Sequence, residues 1–142
     1  MRKVLVGLDR SEYALRAATL AAELARAIPG LEVTAVMVVR PLPEGLYREE
    51  QDLAANSGGY DAQRIIRRAK EIFAEHGVEA AFDSISGSDP GLELCHYAAD
   101  RGYDHIIVGK KGRASSAGNG LALGSVAYKV LHLAPCAVTI VK

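Results

Sequence analysis

The chain has 142 residues, 17 cations balanced by 17 anions, and 49% hydrophobic against 24% charged residues. That suits one domain around one core, and it excludes a disordered chain or a general nucleic-acid binder, which needs a basic excess. Cys95 and Cys136 have no paired spacing, so neither a disulfide framework nor a zinc site is expected, and no apolar run approaches the roughly 18 residues of a membrane span. The start, MRKVLVGLDRSE, is too short in apolar residues for a signal peptide and reads as a first strand, so a cytoplasmic setting is expected.

Residues 3–8, KVLVGL, form an unbroken apolar run that fits a strand covered on both faces. An alanine-rich helix follows. Ala14, Ala18, Ala21, Ala25 and Ile28 fall at helical spacing opposite Arg16, Thr19, Glu23 and Arg26, with Asp9 or Ser11 as N-cap and PG at 29–30 as the stop. Residues 31–39, LEVTAVMVV, form strand two, ended by RPLP. Residues 41–60 show no clear period and are expected to be a mobile loop with one helical turn near YREEQDLA. A second helix then buries Ile65, Ile66, Ala69, Ile72 and Phe73 and ends at Gly77.

Residues 78–86 make a third, less apolar strand suited to an edge. Ser88 or Asp89 caps helix three, with Pro90 in its first turn and Leu92, Cys95 and Ala99 on its inner face. YDHIIVG (103–109) is strand four, the glycine-rich stretch 110–123 follows, SVAYKVLHLA is helix four, and CAVTIV (136–141) is strand five. Strands alternating with crossover helices imply a single α/β domain over 1–142, with a mainly parallel sheet and helices on both faces. In such sheets ligands bind at the carboxyl ends of the strands, where strand order reverses.

A strand running through glycines into a helix is the layout of an anion site. Backbone N–H groups can face an oxyanion, and the next helix adds its free amides and positive dipole end. Gly124 and Ser125 stand where that helix starts. Ser125 can cap it or turn its hydroxyl to a phosphate, while Lys110, Lys111 and Arg113 supply charge. Asp9, after strand one, is the anion placed to hold a divalent metal carried by phosphates. The spacing fits neither the P-loop nor the dinucleotide fingerprint. His76, His96, His105 and His132 share no metal-ligand spacing. No paired-carboxylate or Ser–His–Asp set can be assembled around Asp9, so an efficient hydrolase is not supported.

Four blocks carry a resemblance: KVLVGLDRSEYALRA at the start, GSDP at 87–90, DHIIVGKKGR at 104–113, and LGSVAYKVLHLAPCAVTIVK at the end. Together they resemble the universal stress protein family, and in particular its ATP-binding members, which carry G-x2-G-x9-G-[ST]. Gly109, Gly112, Gly124 and Ser125 match those positions, with two more residues between Gly112 and Gly124 than the pattern has. The resemblance implies the strand order 3-2-1-4-5, an adenine nucleotide alpha hydrolase-like domain, and a homodimer through strand 136–141. It also implies nucleotide contacts at Gly7, Leu8 and Asp9 after strand one, at Val38 for adenine, and at Val108 and Gly109 for ribose and adenine. Lys111 and Gly112 match the phosphate loop, and Gly124, Ser125 and Val126 match the phosphate-holding helix start. The expected function is a dimeric, ATP- and Mg-binding regulatory protein of the stress response with at most slow hydrolysis. The alternative is a protein-interaction module of the same fold that binds no nucleotide; an ATP-using transferase is a third class.

Overall fold

Residues 1–41, 48–111 and 122–142 are described by the computed structural model, residues 48–61 by backbone alone. In chain order the elements are β1 Lys3–Leu8, α1 Glu12–Ala27, β2 Glu32–Val39, α2 Arg48–Glu75, β3 Ala81–Ser86, α3 Pro90–Arg101, β4 His105–Gly109, α4 Ser125–Leu133 and β5 Ala137–Val141. All pairings are parallel and the order is β3-β2-β1-β4-β5. β1 therefore lies between β2 and β4, with Leu8 opposite Met37 and Val6 opposite Ile107.

The sheet's two faces collect different residues of the same strands, as a period of two requires. Val4, Val6 and Leu8 of β1 join Val33, Ala35 and Met37 of β2 under α1 and α2. Leu5, Val36, Ile106 and Val108 point the other way, under α3 and α4. On α1, Ala17, Ala18, Ala21 and Ala22 are wholly buried, so the helix backbone lies close on the sheet. Ser11 is its N-cap, accepting from the Ala14 amide at 3.3 Å. The buried stripe is wider than spacing alone predicted, since Leu15, Ala17 and Ala22 belong to it.

Two expectations are corrected. Residues 48–60, read as loop, are the first half of α2, which runs unbroken to Glu75. Glu, Gln, Leu and Ala in this stretch are good helix formers, and no proline interrupts them. Residues 42–47 lie outside the described part. On α3 the inner face is Leu94, Cys95, Tyr97 and Ala98, while Ala99 is exposed. The rotation follows from a helix–helix contact. Gly91 faces α4, where a Cβ would come within 2.9 Å of the Lys129 Cβ and 3.3 Å of the Val126 carbonyl oxygen. Asp89, not Ser88, caps α3 through the Leu92 amide at 3.2 Å, and Gly102 ends it at φ 67°. Between the layers, the buried Tyr103 hydroxyl donates to Thr34 Oγ1 at 2.7 Å. Both cysteines are free thiols, and burial pushes each above its usual range.

Because α1 contacts the sheet through alanines, added volume there forces the layers apart. Ala21→Leu is expected to lower stability by about 1–3 kcal/mol in urea unfolding. Glu23→Ala, on the exposed face, is expected to change it by less than about 0.5 kcal/mol.

Candidate functional site at the carboxyl edge of the sheet

Parallel strands put all their carboxyl ends on one edge, and the helices return with their N-termini toward it. Asp9 follows β1 there. Its Oδ1 accepts from the Ser11 amide at 2.8 Å and from the Ser11 hydroxyl, which itself caps α1. Burial pushes the Asp9 carboxyl above the ordinary aspartate range, against the opposing pull of the Ser11 hydrogen bonds and Arg10.

β4 ends at Gly109, where a Cβ would stand 2.6 Å from the Tyr13 Cβ and 2.8 Å from the Tyr13 carbonyl carbon. The first turn of α1 thus presses on the end of β4, and glycine makes that approach possible. Lys110 N–H then donates to the Val141 carbonyl at 2.7 Å, and the Lys110 carbonyl accepts from the Gly124 amide at 2.8 Å. Gly124 is the N-cap of α4, buried and extended, with no side-chain cap bond. Ser125, expected to cap or to meet phosphate, is the first helical residue and is exposed.

Beside this helix start lies a cavity of about 220 Å³, bounded by Arg40, Ser88, Asp89, Ser125, Val126 and Lys129. Lys129 forms an ion pair with Asp89 across it. That hydrogen bond, then the one from the Leu92 amide, holds the Asp89 carboxyl below its usual range. The cavity is smaller than the roughly 300–1,000 Å³ of a typical small-molecule site, so it suits one part of a ligand. A wider groove of about 990 Å³, lined in part by Leu31, Lys70, Phe73 and Phe82, sits at the opposite edge, away from these groups.

The topology brings Leu8, Asp9, Val38, Val108, Gly109, Lys111, Gly124, Ser125 and Val126 to one edge. Their side chains divide between faces: Leu8 packs under α1 and α2, whereas Val38, Val108 and Val126 belong to the α3–α4 side. Gly7 lies within β1, and the space its Cβ would take is filled by Leu94 and Val108. Gly112 and most of the stretch 110–123 lie outside the described residues. Sequence reasoning missed Lys129. Its signal was position, four residues after Ser125 on the same helix face. Arg40 was part of a noted turn and Asp89 was read only as a cap. His76, just past the end of α2, bonds back to the Ile72 carbonyl, His132 bonds within α4 to the Tyr128 carbonyl, and His105 bonds across to the Thr139 hydroxyl of β5.

A doubly wound parallel domain with its first and fourth strands adjacent defines a class whose ligands bind outside the carboxyl ends of the strands. A family model described as the Universal stress protein family matches residues 1–142, and the chain belongs to that family. It is 32% identical over 148 residues to universal stress protein YxiE of Bacillus subtilis, covering 99% of this chain and 98% of that one. Universal stress protein UspA from Lactobacillus plantarum superposes with a TM-score of 0.81 at 24% identity, covering 99% and 97%. A universal stress protein in complex with cAMP superposes at 0.74 with 25% identity, covering 99% and 97%. The same fold occurs with dAMP in an Archaeoglobus fulgidus protein and with AMP in an Arabidopsis thaliana protein, each at a TM-score of 0.70, with 24% and 18% identity and 98% and 92% of their chains covered.

The donor set at this edge fits a phosphate: first-turn amides of α4, the exposed Ser125 hydroxyl and nearby Arg40 and Lys129. It fits a metal less directly. Among the described residues no group of three His, Cys, Asp or Glu could hold one, so a divalent ion would come with the phosphates.

Asp9 makes its own test of the local electrostatics. Its raised pKa means that the ionised carboxylate is disfavoured in the folded chain, a penalty present above that pKa and absent below the ordinary value of 3.8. Asp9→Asn keeps the Oδ1 acceptor for Ser11. It is expected to raise the melting temperature at neutral pH, with the gain vanishing as pH falls below 3.8. An equal gain at both pH values would show that charge is not its cause.

Proposed function

We propose that this universal stress protein binds an adenine nucleotide along the carboxyl edge, phosphates toward the start of α4, as a regulatory ligand in stress adaptation. ATP with Mg²⁺ is the proposed working form. One observation carries the reading. Ser11 caps α1 and Asp89 caps α3, but α4 begins at Gly124 with no side-chain cap, bonded to the carbonyl of Lys110 just beyond the end of β4. Its first amides are the ones an anion would satisfy. The cAMP complex of a relative supports the ligand class. Leu8, Asp9, Val38, Val108, Gly109, Lys111, Gly112, Ser125 and Val126 are the proposed contacts, and Gly7 supports the edge from beneath.

Mg²⁺ would neutralise phosphate charge, with Asp9 facing it. Hydrolysis is at most slow in this reading. General acid–base work needs further positioned groups, and the Asp9 carboxylate is engaged by Ser11. The proposed assembly is a homodimer through 136–141. β5 ends the sheet, and α4, which leads into it, exposes Tyr128, Leu131 and Leu133.

Two measurements test the proposal. Small molecules released by denaturing fresh protein should include an adenine nucleotide, and calorimetry with ATP and Mg²⁺ should show binding. Ser125→Asp puts an anion at the helix start, which favours the helix by about 0.3–1 kcal/mol while repelling phosphate. Affinity should fall at least about tenfold, or 1.4 kcal/mol, with no loss of fold stability. Wild-type protein that releases no nucleotide and gives no heat at millimolar ATP overturns the reading. The interaction-module alternative then stands, a reading favoured by the Gly124 amide already being bonded to Lys110.

For the assembly, sedimentation equilibrium should give a dimer that Leu131→Glu weakens. A monomer at all concentrations would refute it.

A further inference from the structure

The described ion pairs are of two kinds. Arg68 pairs with Glu71 and Glu75 along one exposed face of α2, within a single helix. Lys129 and Asp89 instead join two helices across the cavity that also holds Arg40 and Ser125. The geometry constrains Lys129. Side chains on a helix lean toward its N-terminus, so a lysine one turn after Ser125 reaches back over the helix start. Its stem is set against α3 at Gly91, the notch where a Cβ would collide with the Lys129 Cβ. Only the ammonium end has room to choose between neighbours.

We propose that Asp89 is an internal stand-in for a ligand phosphate. It holds Lys129 at the mouth of the α4 start, and a phosphomonoester binds by taking Lys129 over from it. The nucleotide identity of that ligand rests on the proposed function above; the exchange itself rests on the cavity. Arg40 and Lys129 carry two positive charges on its lining and Asp89 one negative. A phosphate, with up to two negative charges and three acceptor oxygens, competes well for a lysine against a single carboxylate. The pair is 41% and 35% exposed, so water screens it and it separates readily. Asp89 remains useful when it lets go, because its other oxygen still caps α3 through the Leu92 amide. Asp89 is therefore a specificity-determining residue that tunes affinity for the charged end of the ligand and leaves the base alone.

The inference predicts a gain from losing a charge. Asp89→Asn keeps the cap oxygen, frees Lys129 and removes the competing anion. Calorimetry with three probes reads the result: AMP, adenosine and inorganic pyrophosphate. Asp89→Asn should bind AMP and pyrophosphate about tenfold tighter with adenosine unchanged, the scale expected for one charge at partly screened range. Lys129→Met, which keeps the stem against Gly91, should bind AMP about tenfold weaker, again with adenosine unchanged. Melting curves establish that both variants fold. A purely structural clamp would make Asp89→Asn weaker for every probe; that result, or unchanged AMP and pyrophosphate affinity, overturns the inference. The two readings fail separately. If wild-type protein binds no nucleotide but Asp89→Asn gains pyrophosphate, the nucleotide reading falls and the exchange stands. If wild-type protein binds AMP and Asp89→Asn does not tighten it, the reverse holds.

Discussion

The peptide groups around Lys110 are gripped from two sides. The N–H of Lys110 reaches the Val141 carbonyl of β5, and its carbonyl takes the amide of Gly124 at the start of α4. Gly124 in turn accepts from Tyr128, so the helix ladder begins where the loop ends. The last three elements of the chain, β4, α4 and β5, therefore share one hydrogen-bonded base. Among the described residues, this base fixes where α4 starts. A connection two residues longer than the pattern the sequence resembles can close on such a base at little cost. Loop-closure entropy grows only logarithmically, so two residues added to about ten cost about 0.2 kcal/mol.

Close packing of helices supplies the remaining precision. At Gly109 the first turn of α1 meets the end of β4, and at Gly91 α4 lies against α3. Both contacts are backbone-close and both sit at the carboxyl edge. One fixes the wall that carries Asp9, the other the wall that carries Ser125 and Lys129. Asp9, Ser125 and Lys129 are thus mounted on walls whose positions are set by an absent side chain. Glycine at 109 consequently serves packing as well as any ligand approach, and its place in the family motif has a structural cause in this chain.

The architecture was legible because four of the five strands, all but β3, are short apolar runs bounded by turn residues. β1 at Lys3–Leu8 was readable to the residue, and β2 and β5 to within one. The first half of α2 was not readable. Its polar, glycine-containing sequence lacks an apolar stripe, and helix propensity without periodicity is a weak signal. The rotation of α3 was hidden for another reason. Gly91 looks like an ordinary first-turn residue until α4 is placed beside it, and only then do Leu94 and Ala98 become the buried pair. The site followed the same division. Asp9, Gly124 and Ser125 announce themselves by standing at strand and helix ends. Lys129 and Arg40 join them only through the packing of α4 on α3.

Three of the helix starts at this edge, those of α1, α3 and α4, allow one more step. A side-chain cap is worth about 1 kcal/mol, and both α1 and α3 have one, from Ser11 and Asp89. Glycine at the α4 cap forgoes only a few tenths of that by conformation, but it leaves the first-turn amides without a side-chain oxygen. Asp89, which caps the neighbouring helix, simultaneously spends its other oxygen on Lys129, a residue of the uncapped one. The carboxylate thus links a finished helix start to an unfinished one. An anion arriving at α4 meets first-turn amides that its cap residue leaves without a side-chain oxygen, and a lysine held on a screened, exchangeable bond. Affinity for such an anion would then be set less by the number of positive groups at the edge than by how firmly Asp89 keeps the one it already holds.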